Sequence, residues 1–169
     1  VVAVTAVMGA AERSAQDVTA IYSEAAAAYG AKEFAGAAAK FEQVIDLGMD
    51  NEEAASLVAT AKATLPKCYF MLGGASLKSQ DYDTALTNFT KSAELAELYG
   101  DMTQQAKSNG WLAKIYQIQG GDAFNNKDYA TAVGIFEKGY KADPDNHSMA
   151  LNLASSHVQL GVYRNVMAC

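Results

Sequence analysis

Proline, cysteine and histidine are scarce, two of each in 169 residues. With only Pro66 and Pro144 to interrupt them, apolar-periodic segments can run long, and the alanine-rich composition favours helix. Cys68 and Cys169 are too few and too far apart for a disulfide framework. His147 and His157 stand ten apart, not the four that puts two side chains on one helical face. Neither Cys-x-x-Cys nor His-Glu-x-x-His occurs, so no metal or other cofactor is expected and both histidines read as structural. Basic charge is also short: 13 Lys and Arg against 19 Asp and Glu, a net −6, which argues against nucleic acid and against an anionic membrane surface. The apolar opening "VVAVTAVMGA" is too short to span a bilayer, which takes about 20 residues, so no membrane span is expected. Period-2 alternation is confined to "VVAVTAV", a weak strand signal.

What the chain does have is helical period nearly throughout. Asp17 is a cap candidate for a helix ending at Gly30. Phe34, Ala37, Ala38, Phe41, Val44 and Ile45 share one face of a helix that stops at Gly48. Asn51 followed by Glu52 and Glu53 starts another, which Pro66 should kink or divide. Tyr82, Ala85, Phe89 and Leu95 mark the next, closing at Gly100, and Asp101 can cap the helix of Trp111, Ile115 and Tyr116. Tyr129, Ala132, Phe136 and Tyr140 follow up to Pro144, after which Asn146 can cap a last pair, "HSMALNLASSHVQLG" and "VYRNVMAC".

Two stretches match: "GGASLKSQDYDTA" from Gly73 and "GGDAFNNKDYATA" from Gly120 share Gly-Gly, Asp-Tyr and Thr-Ala at the same offsets. A phosphate-cradling loop needs a preceding strand and a Gly-Lys-Ser/Thr, and neither is present. The aromatics Phe34, Tyr82, Tyr129 and Tyr163 open successive helices, spaced 48, 47 and 34 residues apart. Ala37, Ala85, Ala132 and Val166 follow three positions on, then Phe41, Phe89 and Phe136 after four more, all on one stripe. Self-similarity at this period marks stacked helix pairs in which the glycines allow close helix approach and "NNKDY" is a turn.

This pattern resembles the tetratricopeptide repeat (TPR). The residues that carry the likeness are Tyr69 with Leu72-Gly73, the Asp-Tyr-x-x-Ala-x-x-x-Phe runs at 81–89 and 128–136, and Asp143-Pro144-Asp145-Asn146. The resemblance covers residues 18 to 169 and is weakest in the first unit, where Glu24 replaces a large apolar residue. It implies an all-α fold, a right-handed superhelical solenoid of antiparallel helix pairs with about 3.5 repeats. Residues 17–169 would form that domain and residues 1–16 an apolar segment before it. It is also similar, more loosely, to small exported bacterial proteins of this family.

Carried over position by position, the resemblance implies a concave groove for a protein or peptide segment. It would be lined by Tyr22, Ala26, Tyr29 and Gly30; Lys67, Phe70, Gly74, Leu77 and Lys78; Lys114, Gln117, Gly121, Phe124 and Asn125; and Leu151, Ser155, Val158 and Gln159. Tyr22 and Ala26 occupy the places of the first carboxylate-clamp residues, which argues against that subfamily. Several of these aromatics could equally pack between neighbouring units.

Nothing catalytic is legible. Ser155, Ser156 and His157 are sequence neighbours without a nucleophile elbow, and Glu52-Glu53 and Asp81 with Asp83 read as helix-start charge. Asn88-Phe89-Thr90 and Asn146-His147-Ser148 fit the N-glycosylation pattern, and Asp83-Thr84-Ala85 resembles a bacterial O-glycosylation signal, with Thr84 expected to face solvent; a surface residue is the simpler reading of each. The first residues read either as the end of a secretory signal, placing the protein outside the cytoplasm (periplasm, cell surface or secreted), or as an assembly tail. Val1, Val2, Val4 and Val7 at one end and Tyr163, Val166 and Met167 at the other could join copies head to tail, or the tail could fold back on its own first repeat. Two function classes result: a non-enzymatic scaffold with a binding groove, or a self-assembling structural subunit forming fibres.

Overall fold

The computed structural model describes the backbone of residues 2–167 and the side chains of residues 15–162. Seven α-helices follow one another among the described residues, with no strand: α1 (Val2–Gly30), α2 (Phe34–Gly48), α3 (Ala55–Lys78, preceded by a 3-10 turn Glu52–Ala54), α4 (Tyr82–Leu98), α5 (Met102–Asn125), α6 (Tyr129–Ala142) and α7 (His147–Met167). The chain forms two compact units, Val1–Gln105 and Ala106–Cys169. In the first, α1 packs on α2, α2 on α3 and α3 on α4; in the second, α6 packs on α7. Short turns between long helices make such neighbours antiparallel. This pairing of adjacent helices is consistent with a helical repeat.

One turn is used four times: at Gly100, where φ is 78°, the Gly100 N–H bonds the Glu97 carbonyl and the Asp101 N–H the Ala96 carbonyl, and three more times with a non-glycine residue in the same place. Lys32, Gln80 and Lys127 adopt φ of 62°, 61° and 62°, the left-handed region that costs a non-glycine residue about 1 kcal/mol or more. Each donates its N–H to the carbonyl three residues back (Tyr29, Leu77 and Phe124). The next N–H, of Glu33, Asp81 or Asp128, bonds the carbonyl five residues back. This Schellman pairing satisfies the orphan carbonyls of the ending helix. The residue that closes it also caps the following helix. Asp81 accepts from the Thr84 N–H at 3.1 Å and Asp128 from the Thr131 N–H at 3.2 Å. The recurring Asp-Tyr-x-Thr-Ala is therefore a cap, its Asp and Thr supplying acceptor and donor. Glu33 makes no side-chain cap bond. Asn51, Asp101 and Asn146 cap the remaining starts through the N–H groups of Glu53, Gln104 and Met149, as their residue types predict.

The paired glycines divide their labour. Only the first of each pair is a contact. A Cβ on Gly73 would lie 2.9 Å from the Phe89 ring, and one on Gly120 would lie 2.6 Å from the Phe136 ring. Gly74 and Gly121 face open space. Phe89 and Phe136 are 1% and 2% exposed, so equivalent rings fill equivalent places on α4 and α6. The rest of the first unit's core gathers Val18, Phe41, Val44, Leu65 and Cys68, and the second unit's core gathers Ala113, Phe136 and Met149.

Several expectations need correction. Asp17 caps nothing, because α1 already runs through it, and "VVAVTAV" from Val2 onward is helical rather than extended. Pro66 begins no new element: α3 continues across it with Pro66 buried. Burial of Leu65 and Cys68 on either side offsets the cost of the missing N–H. Ser92 Oγ also donates to the Pro66 carbonyl at 2.7 Å and accepts from Gln104 Nε2 at 3.4 Å, fastening α4 to α3 at this point. Gly161 does not separate two final helices, since α7 passes through it; a glycine inside a helix costs about 1 kcal/mol but ends nothing by itself. Tyr140 is 41% exposed, and Gly139 takes the inward position instead, against Met149 and Tyr116.

The glycine asymmetry is testable by urea denaturation. Gly73→Ala and Gly120→Ala should each destabilise by about 1–3 kcal/mol through overpacking. Gly74→Ala and Gly121→Ala should be neutral or stabilise by up to about 1 kcal/mol, since alanine is the better helix former. Equal losses at both positions of a pair would show that the ring contact does not set the helix spacing.

Candidate functional site

The second unit holds a cavity of about 280 Å³ lined by Gly121, Phe124 and Asn125 of α5, Phe136 of α6, and Asn152 and Ser155 of α7. Helical spacing explains the set: positions one turn apart on α5 and α7 face the same way. Phe136 forms the floor because Gly120 lets α6 come close. Phe124 stands edge-on to Tyr129, ring centroids 5.2 Å apart at 70°, which fixes its orientation. A Cβ on Gly121 would meet nothing within 4 Å, so the glycine keeps the mouth wide. Asn125, Asn152 and Ser155 spend no side-chain hydrogen bond on the fold among the described residues. Among the described residues, no charged side chain lines the cavity. Aromatic faces with free amides and a hydroxyl, and no charge, suit a neutral polar group such as a peptide unit.

The first unit carries a different arrangement between α2, α3 and α4. The Tyr69 hydroxyl donates to Glu42 Oε1 at 2.9 Å, and Lys91 Nζ stands 6.0 Å from the Tyr69 ring centre. Tyr99 shares a cavity of about 290 Å³ with Glu42, Asp46, Leu65, Lys91 and Leu95. Lys62 Nζ lies 5.7 Å from the Tyr99 ring centre. Burial, and then the hydrogen bond to Glu42, push the Tyr69 phenol up to about 12. Burial also raises Tyr99, helped by the carboxylates of Asp46 and Glu42. Burial pushes the Cys68 thiol up to about 11, so it stays protonated and unreactive near neutral pH.

The residues expected in a groove divide between the two units. Tyr22 and Tyr29 turn their edges to Phe41, with centroids 6.0 and 6.5 Å apart, and Tyr29 also meets Phe34; both are half-buried against the first core. Phe70 packs edge-on to Phe89 at 5.4 Å. Leu77 is half-buried, and Lys67, Lys78 and Gln117 are exposed. Lys114 lies over the Trp111 ring at 4.3 Å. Gly121, Phe124, Asn125 and Ser155 do come together in the cavity, joined by Phe136 and Asn152. Leu151, expected there, is 69% exposed. A register error of one residue turns a helix by about 100°, and α7 lacks the Gly–Phe pair that fixed the register elsewhere. Phe136 was legible as core, and nothing in its pattern marked a second role as cavity floor.

Thr84 is exposed, as expected, and its hydroxyl bonds the Asp81 carboxylate. Asn88 is half-buried, and Asn146 uses its side-chain oxygen to cap α7. His147 Nδ1 lies 2.8 Å from the Asp145 carbonyl, and His157 Nε2 lies 3.9 Å from Glu137. Ser156 is buried with its hydroxyl on the Asn152 carbonyl, while Ser155 and His157 are exposed. Val1, Val2, Val4, Val7, Tyr163, Val166 and Met167 fall outside the residues whose side chains are described. Among the described residues, no His, Cys, Asp and Glu side chains gather as a metal-binding group, and no helix is long and apolar enough to cross a membrane.

No family model matches the chain, and neither does any curated protein. Its function is therefore argued from the geometry above.

Alkaline titration tests the Tyr69–Glu42 pair. The folded phenol is raised, so its contribution to stability is complete below the ordinary value of 10.0 and is lost as pH rises through about 12. Ultraviolet difference absorbance should show a phenol ionising near pH 12, a step absent in Tyr69→Phe. Glu42→Gln should bring that step to lower pH. An unmoved step would mean that burial alone holds it up.

Proposed function

We propose that the chain is a non-enzymatic helical-repeat scaffold of the tetratricopeptide kind, which holds an extended segment of a partner protein at the cavity between α5, α6 and α7. The observation that carries this reading is the uncharged lining of that cavity, with the Asn125 and Asn152 amides and the Ser155 hydroxyl beside the Phe124 and Phe136 rings. A peptide bond presents one donor and one acceptor, and a side-chain amide can answer both. The rings can receive an apolar side chain of the same segment. The fourfold use of one turn and the two matched Gly–Phe contacts support the repeat reading.

Peptides selected from a random library on the full chain provide the test. Asn125→Ala with Asn152→Ala should weaken the selected peptides by about tenfold or more, as expected for two lost hydrogen bonds at a desolvated site, with circular dichroism unchanged. Phe124→Ala should weaken them further. Peptides held equally well by all three proteins would place the site elsewhere.

A further inference from the structure

The first unit ends in an apolar, acid-rimmed surface unrelated to the cavity just described. Leu47 and Met49 flank the end of α2, and Leu98 and Met102 flank the turn from α4 to α5. They are 57%, 60%, 72% and 66% exposed, well beyond what their side chains would choose in water. Antiparallel succession from α2 to α3 to α4 brings both turns to the same end of the unit. They are also neighbours, because Asp46 of α2 and Tyr99 after α4 line one cavity. Beside them a wider opening of about 600 Å³ runs from Ala59, Lys62 and Ala63 of α3 to Leu98, Tyr99 and Gly100. Its small alanines leave room for an inserted side chain.

The charge at this end is one-sided. Residues 46–62 and 94–105 carry Asp46, Asp50, Glu52, Glu53, Glu94, Glu97 and Asp101; Lys91 lines the cavity of Asp46 and Tyr99, and the one lysine within these two stretches is Lys62. That lysine already lies over the Tyr99 ring. The opposite turns, α1 to α2 and α3 to α4, mix both signs, with Lys32 beside Glu33 and Lys78 near Asp81 and Asp83. So much like charge would repel an anionic lipid surface. Methionine is flexible and polarisable, and it adapts to varied apolar partners. Exposed Met and Leu on stretches rich in carboxylates complement a helix with one apolar and one basic face.

We propose that this end of the first unit docks a basic amphipathic segment of a partner protein. Its apolar residues would rest on Leu47, Met49, Leu98 and Met102, and its Lys or Arg side chains would meet the surrounding carboxylates.

Fluorescence anisotropy on the full chain tests this with three short synthetic peptides. One is a Leu–Lys amphipathic helix, one has the same residues scrambled to remove the apolar face, and one is the Leu–Glu counterpart. The first should bind at least about tenfold more tightly than the others and lose affinity with added salt. Met49→Gln with Leu98→Gln should weaken it about tenfold without changing the melting temperature, since both side chains are already in water. Glu53→Gln with Glu97→Gln should weaken it too, whereas Glu137→Gln with Asp145→Asn, the same charge change in the second unit, should not. Phe124→Ala with Asn152→Ala should leave this binding intact, so the two surfaces stand or fall separately. Equal binding of the scrambled peptide, wild-type affinity in the Met49/Leu98 variant, or equal weakening by the distant neutralisation would each overturn the proposal. So would sedimentation showing a dimer that the Met49/Leu98 variant abolishes, since the occupant would then be a second copy.

Discussion

The contact on which both units depend is a phenylalanine ring laid against a bare helix backbone. Where Gly73 meets Phe89 and Gly120 meets Phe136, no room exists for even one methyl group. The spacing of α3 from α4, and of α5 from α6, follows from that exclusion. Close packing then propagates, because interiors filled to crystal-like density cannot absorb a displaced ring cheaply. The cavity of the second unit inherits its floor from the same contact, since the Phe136 ring, 2% exposed, is held there against Gly120.

The turn is the second constraint, and it explains why the repetition is so plain in the sequence. A left-handed residue ends one helix, and the aspartate after it starts the next, so a short connection satisfies orphan groups on both sides. Hydrogen bonds to Thr84 and Thr131 hold the Asp81 and Asp128 carboxyls below their ordinary 3.8. Each stabilises the fold fully above that value and ceases to as pH falls through its lower folded-state pKa. Glu33 occupies the equivalent place in the first turn without a cap bond. Its side chain is one carbon longer than the acceptor the geometry wants. It adds to Glu24, which stands in place of a large apolar residue, in weakening the likeness of the first unit.

Local chemistry was legible where a few adjacent residues decide the outcome. Helix ends at Gly30 and Gly48, caps at Asn51, Asp101 and Asn146, and the burial of Phe41, Phe89 and Phe136 could all be read from residue type and period. Reading failed where tertiary packing overrides propensity. Pro66 is carried inside α3 by a buried environment, with a hydroxyl from α4 on its carbonyl, and no local rule foretells that. The cavity was half legible. Gly121, Phe124, Asn125 and Ser155 followed from carrying the repeat register onto α5 and α7. Asn152 did not, because α7 has no ring-on-glycine contact to fix its rotation. Tyr22, Tyr29 and Phe70 read equally as groove or packing residues, and they turn their edges to Phe41 and Phe89. An aromatic stripe serves packing and binding equally well, and sequence does not separate them.

The remaining chemistry divides by charge. The cavity of α5, α6 and α7 offers dipoles and rings without a net charge, so attraction there depends on short hydrogen bonds whose strength is nearly independent of salt. The end of the first unit offers apolar area inside a field of carboxylates, where attraction begins at a distance and is screened within about 8 Å at physiological ionic strength. The first chemistry discriminates by shape and register, since an amide that cannot be paired costs more than it returns. The second discriminates by charge sign and then by an apolar face. Salt dependence is therefore the property by which the two proposed modes of recognition would separate.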